Sequence, residues 1–217
     1  MQNKNYKNGF TLVELLVALT VTSIILAAVA TLAYALGNVN DSTNDTSQKQ
    51  AQVRYATLRI SELLKNGKLI CGTADNDVAI WRADDNSDAK INPGELVYLE
   101  AGSSRNYLKL LEFPSVTSPI PVALSNILNG TAKASLISSY DERRIAMIPV
   151  CSNVQFVATP APPYTKLPYT KFVTVSFNLV EDGTTHRYEI TGALRGWAGN
   201  LLSADGSSIV SIVSDDD

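Results

Sequence analysis

The sequence predicts an α+β fold: one long N-terminal helix packed on an antiparallel β-sheet head. Three observations predict it. Residues 10–36 are almost uniformly apolar, with Glu14 as the only charged side chain. Apolar residues return at helical spacing over 53–64. Beyond Gly67 the pattern changes to short runs rich in β-type residues, punctuated by Gly, Pro, Asn and Asp, as strands and turns require. A helical stripe followed by strands buries its apolar face best across a sheet.

The elements follow in order. Residues 1–9 form a polar leader whose only charges are Lys4 and Lys7. Residues 10–36 are long enough for one membrane-spanning helix, which needs roughly 20 apolar residues. Residues 37–66 continue the helix amphipathically. Their first part, 38–50, is rich in Asn, Asp, Ser and Thr, so it is expected to be solvated and only loosely helical, with a weak point near Gly37. Val53, Ala56, Ile60 and Leu63/Leu64 then make one stripe, with Arg54, Arg59 and Glu62 off it. Asn66-Gly67 ends the helix, because glycine takes the left-handed conformation after a last turn.

Residues 67–217 form the head, with an acidic, mobile tail. Strands are expected at 69–71, 78–81, 96–99 and 107–113, with a hairpin turn at 102–106. Residues 114–122 carry Pro114, Pro119 and Pro121 and read as a loop; 126–140 is ambiguous and open to a helix. Residues 145–158 give one or two strands, with Pro149 marking an edge or a break. Four prolines make 159–168 an irregular loop. The clearest hairpin alternates over 172–179, turns at Glu181-Asp182-Gly183 and returns over 186–194.

Charge narrows the function. The net charge is −3; loss of residues 1–9 removes two lysines and no acids, making it −5. No basic cluster exceeds Arg143-Arg144, so nucleic acid is not an expected partner. The catalytic inventory is thin: one histidine, His186, on an expected strand, and no nucleophile elbow, zinc motif or phosphate loop. An enzyme is therefore not expected.

The organising feature is Gly9-Phe10-Thr11-Leu12-Val13-Glu14-Leu15-Leu16. A carboxylate in hydrocarbon costs on the order of 2.5–3.5 kcal/mol, so Glu14 needs a partner. This stretch resembles the prepilin signature of type IV pilins and of the pseudopilins of type II secretion. The resemblance implies that a prepilin peptidase in the inner membrane cuts between Gly9 and Phe10 and methylates the new amino terminus. It implies that other pilin or pseudopilin subunits are the partners, with the head in the periplasm before assembly into a pilus or pseudopilus. The ammonium left on Phe10 is a cation that can pair with Glu14 of a neighbouring subunit, and neutralising both charges is far cheaper than burying either alone. The resemblance further suggests a minor subunit, most like a J-type minor pseudopilin or a W-type minor pilin. The chain is longer than most major subunits, and Thr31 stands where they often carry a helix-bending proline. Some tip-located members lack the glutamate, so Glu14 implies a subunit able to sit beneath or beside another. A tip adhesin or DNA-uptake module is the alternative.

Two further sites stand out. Asp84-Asp85-Asn86-Ser87-Asp88-Ala89-Lys90-Ile91-Asn92-Pro93-Gly94-Glu95 places oxygen ligands at positions one, three, five, nine and twelve, and resembles the calcium loop of EF-hands and dockerins. Calcium takes six to eight oxygens. Asp84, Asn86 and Asp88 would supply side chains, Lys90 its carbonyl, Asn92 a direct or water-mediated contact, and Glu95 a bidentate carboxylate. Ala89 departs from the glycine wanted at position six, and residues 78–81 read as a strand where an EF-hand has a helix. An acidic, solvated turn is the alternative. Cys71 and Cys151 are expected to pair in an oxidising compartment, with two buried free thiols as the alternative.

Overall fold

The computed structural model describes residues 11–72, 77–114, 116, 120–159, 172–196, 201, 202 and 209. Helix α1 spans Leu12–Asn66. It is followed by β1 (Leu69–Gly72), β2 (Val78–Trp81), a 3₁₀ turn (Pro93–Glu95), β3 (Leu96–Glu100), β4 (Leu108–Glu112), α2 (Leu124–Leu128), α3 (Thr131–Ser139), β5 (Arg143–Ile148), β6 (Ser152–Thr159), β7 (Phe172–Glu181) and β8 (Thr184–Ala193). The fold is α+β, a long N-terminal apolar helix with antiparallel sheets. Two compact units divide inside α1, Met1–Ser47 and Gln48–Asp217.

In the first unit the described residues are helical from Leu12, and the large apolar side chains face outward; Leu12, Ile24 and Leu26 are each at least two-thirds exposed. The Ser and Thr hydroxyls between Leu12 and Leu36 return to their own backbone. Thr20 bonds the Val17 carbonyl, Ser23 that of Leu19 and Thr31 that of Ala27, at 2.6–2.9 Å. Such i−3/i−4 bonds leave none of these donors in need of water. The helix runs through Gly37 and through 38–50 without interruption, against the expected loose helicity. Polar residues there lose little by being helical and exposed, and they are flanked by two strong helical segments across which hydrogen bonding propagates cooperatively.

In the second unit the end of α1 buries Ala56, Ile60, Leu63 and Leu64. Lys49 Nζ reaches the Val180 carbonyl at 2.9 Å, beside the β7–β8 turn. At the other end the Arg195 amide donates to the Lys65 carbonyl at 3.4 Å. This part of the helix therefore follows the hairpin for about 24 Å at 1.5 Å per residue. The approach is close: a Cβ on Gly192 would stand 2.4 Å from Leu64 Cδ1. Gly67 does end the helix, but not as a left-handed cap. A Cβ there would meet Ile80 Cγ2 and the Leu63 carbonyl, both at 3.0 Å, so packing space explains the glycine.

The strands form two antiparallel sheets, ordered β1-β2-β3-β4-β5 and β6-β7-β8. Pro149 breaks the 143–159 run and sends β5 and β6 into different sheets, since proline cannot continue a ladder. The β7–β8 hairpin pairs Phe172 with Ala193 through to Glu181 with Thr184. Its turn is the two residues Asp182-Gly183, with φ of 52° and 73°, as a type I′ turn needs. The ambiguous 126–140 segment holds parts of α2 and all of α3. Lys133 of α3 lies against Asp77 and Glu100 at 2.5 and 2.6 Å. Burial works against its charge, but those two carboxylates outweigh it and hold the ammonium above its ordinary pKa. The 160–168 part of the expected proline-rich loop and almost all of the acidic tail lie outside the described residues.

The expected Cys71–Cys151 disulfide is not formed; both are buried free thiols. Cys71 lies on β1, opposite Ala79. Cys151 precedes β6, and its amide is bonded to the Asn106 carbonyl. Cys71 thus lies in the first sheet and Cys151 at the entrance to the second. Burial pushes the Cys71 thiol up to about 12 and that of Cys151 up to about 11, so neither is a ready thiolate.

Candidate functional site

The N-terminal motif is built around the start of α1. Gly9 and Phe10 lie outside the described residues, and Thr11 and Glu14 lie within them. Thr11 sits immediately before the first helical residue. Its amide and its hydroxyl both donate to Glu14 Oε2, at 2.9 and 3.0 Å. In return the Glu14 amide donates to Thr11 Oγ1 at 3.3 Å. This is a capping box, in which a Thr and a Glu three residues on satisfy each other's backbone donors. The helix dipole adds to it, because a carboxylate in the first turn faces the positive helix end. Sequence reading assigned Glu14 to a partner in another chain and overlooked this local one. The signal was present as Thr11-x-x-Glu14 ahead of an apolar run.

Behind the cap, α1 offers a continuous apolar surface. It is long and apolar enough to cross a membrane, and none of its most apolar window is buried. Exposed apolar surface of this extent marks an interaction with lipid or with other protein.

The 84–95 loop joins β2 to β3. Strands paired in register from Trp81–Leu96 are ordinarily joined by two to five residues, so a connection running from 82 to 95 is unusually long. Its chain is wound tightly. Asp84 Oδ1 accepts the Asp88 amide at 3.0 Å, Asn86 Oδ1 accepts the same amide at 3.2 Å, and Asp88 Oδ1 accepts the Lys90 amide at 2.9 Å. Ser87 and Ala89 both have left-handed backbones, with φ of 57° and 54°. Position six thus takes the glycine-like conformation with an alanine in place.

Glu95 braces the loop from inside. It is 4% exposed. Its oxygens accept the Asp85 amide at 2.8 Å, the Asn92 amide at 3.2 Å and Trp81 Nε1 at 3.2 Å, tying entrance, exit and β2 together. Ile91 is buried in the core, and its carbonyl accepts the Val122 amide at 2.7 Å. Lys68 pairs with Asp84 at 3.2 Å, and Arg82 with Asp85 at 3.4 Å. Among the described residues, no three His, Cys, Asp or Glu side chains converge as a metal set.

A polar cavity of about 590 Å³ lies elsewhere, lined in part by Asp77, Glu100, Tyr107, Lys109, Lys133 and Arg144. Its carboxylates are taken by Lys133 and Arg144, so it reads as the ion-pair network that pins α3 to the first sheet. His186 stands on β8, exposed, opposite Leu179.

Residues 4–30 match the family model for the prokaryotic N-terminal methylation motif. The match spans Gly9, Phe10 and Glu14, and ends at Ala30, well short of the head. No curated protein and no solved structure matches the chain.

Proposed function

We propose that the chain is a structural subunit of a type IV pilus or of a type II secretion pseudopilus. One observation carries the reading: the methylation motif stands in register at the head of a helix whose apolar surface nothing else in the described chain covers. A prepilin peptidase cuts between Gly9 and Phe10. The helix then holds the subunit in the inner membrane, with the head in the periplasm, until it enters a filament beside other pilin or pseudopilin subunits. There the apolar surface moves from lipid into contact with neighbouring helices, and the Phe10 ammonium pairs with Glu14 of the next subunit.

The proposal extends to a minor subunit near the filament tip, supported by the chain length and by Thr31 in place of a bending proline. It is a structural role and not a catalytic one.

The test is the intact mass and N-terminal sequence of the membrane-extracted protein, produced with and without a prepilin peptidase. The expected product begins at methylated Phe10 only when the peptidase is present. A chain that still begins at Met1 in its presence overturns the reading and leaves an anchored domain.

A further inference from the structure

β1 and β5 are the edges of the first sheet, β6 and β8 those of the second. Three of these edges carry devices that keep foreign strands off: shortness, charge, a bulge or a covering loop. β1 has four residues. β5 opens with Arg143-Arg144. β6 shifts register between Ser152 and Gln155, and the Cys151 and Val154 amides are given to the Asn106 and Arg105 carbonyls. β8 has none of these. It is ten residues long, without Lys or Pro, and it pairs with β7 from end to end without a shift.

The turn decides which backbone groups of β8 face outward. A two-residue hairpin closes on a hydrogen-bonded pair, here Glu181 and Thr184, and such pairs alternate with open ones along the ladder. Thr184, His186, Tyr188, Ile190 and Gly192 therefore give their N–H and C=O to β7. Thr185, Arg187, Glu189 and Thr191 turn theirs outward. All four are exposed, and among the described residues these outward groups have no backbone partner.

The charges on this edge are self-complementary. With a second β8 laid antiparallel and Tyr188 opposite Tyr188, Arg187 stands across from Glu189 and Glu189 across from Arg187, with Thr185 across from Thr191 on either side. Opposite charges directly across a strand pair are favourable and like charges unfavourable. Both neighbouring registers that still pair the outward groups put Arg187 opposite Arg187 or Glu189 opposite Glu189, so charge selects this one. Arg187 and Glu189 are each more than half exposed and bond each other along the strand at 2.9 Å, free to exchange that bond for one across the pair. Tyr188, at the centre, does not obstruct. Its hydroxyl donates to Glu181 at 2.7 Å and its ring stacks on Phe177, which hold it back over β7.

We propose that the β8 edge docks a second copy of this chain, β8 antiparallel to β8, joining the two three-stranded sheets into one. This is independent of the filament reading. Lys49 of α1 lies beside the β7–β8 turn and Lys65 beside Arg195, so this part of α1 runs in the direction of β8. In the pair the two helices run oppositely. The contact therefore joins copies held in separate assemblies, not side-by-side neighbours in one.

The test is sedimentation equilibrium of the full chain in density-matched detergent, up to roughly 100 µM, a range that reads weak contacts of small area. The parent is expected to form particles of two chains. Arg187→Glu alone and Glu189→Arg alone each face like charges twice, and each is expected to self-associate at least about tenfold more weakly. Mixed, the two variants are expected to pair with each other and regain the parent's affinity, which also shows that both are folded. A parent that stays monomeric overturns the proposal. So does self-association undiminished in both single variants, which places the contact elsewhere, such as the apolar surface of α1. A mixture that associates no more tightly than either variant alone overturns it as well.

Discussion

At the scale of single residues, Glu14 has two roles that one substitution can separate. As a cap it satisfies Thr11; as a charge it answers the Phe10 ammonium of a neighbour in the proposed filament. Glutamine serves in a capping box as well as glutamate does, but carries no charge. Loss of a cap costs about 0.5–2 kcal/mol, whereas breaking a desolvated ion pair costs about 3–5 kcal/mol, or roughly 10²–10⁴-fold in an equilibrium. Both Glu14→Gln and Glu14→Ala are therefore expected to be cleaved normally, and both to enter filaments at least about a hundredfold less. Immunoblotting of sheared filaments against the membrane pool measures this. Glutamine assembling normally while alanine fails would reduce Glu14 to a cap.

The same residue shows how far the sequence could be read. An acidic side chain in an apolar run announces that it needs a partner, but not which one, and the box spelled by Thr11 and Glu14 was there to be seen. Ala89 was legible in a different way. The alanine counted as a departure from the glycine wanted at the sixth position, yet the chain takes the left-handed backbone there with the alanine in place. The cysteines were not legible, because pairing depends on which strands become neighbours, and that is decided by contacts far apart in sequence.

At the scale of elements, the contact of α1 with β8 depends on one missing side chain. A Cβ on Gly192 would lie 2.4 Å from Leu64 Cδ1 and 2.8 Å from its Cβ, and Leu64 is fully buried. Gly192→Ala is expected to destabilise the head by about 1–3 kcal/mol through overpacking, and Leu64→Ala by about 2–5 kcal/mol through a cavity. In the double variant the new methyl occupies part of the space vacated. The combined loss should therefore fall short of the sum by about 0.5–3 kcal/mol, as read from urea unfolding midpoints. Strict additivity would mean that the helix does not press on β8 there. No sequence pattern predicts this glycine, since a glycine in a strand speaks equally for a bulge or a close approach. Strand existence was legible from alternation, and so was the break at Pro149. The division into two sheets was not, because it follows from which runs pair after the break.

At the scale of the whole molecule, the change from helix to strand pattern suggested that the head begins at residue 67. The compact unit begins instead at Gln48, because the last turns of α1 belong to its core. Ala56, Ile60 and Leu64 are completely buried and Leu63 nearly so. Removing buried Leu or Ile side chains costs about 2–5 kcal/mol each, against a total stability of about 5–15 kcal/mol for a domain. Three such losses, with the sheet surface beneath them opened to water, consume most or all of it. A fragment from Gln48 to the C-terminus should therefore unfold cooperatively by heat without detergent. A fragment from Gly67 should show no cooperative transition and should bind a hydrophobic dye at room temperature. Cooperative melting of the shorter fragment would show that the sheets bury their own faces and that the helix stripe is dispensable. The Gln48 start also keeps Lys49 and its bond to the Val180 carbonyl. A cut a few residues later, past Lys49, should still fold but melt lower, since it loses that tie and keeps the four buried side chains.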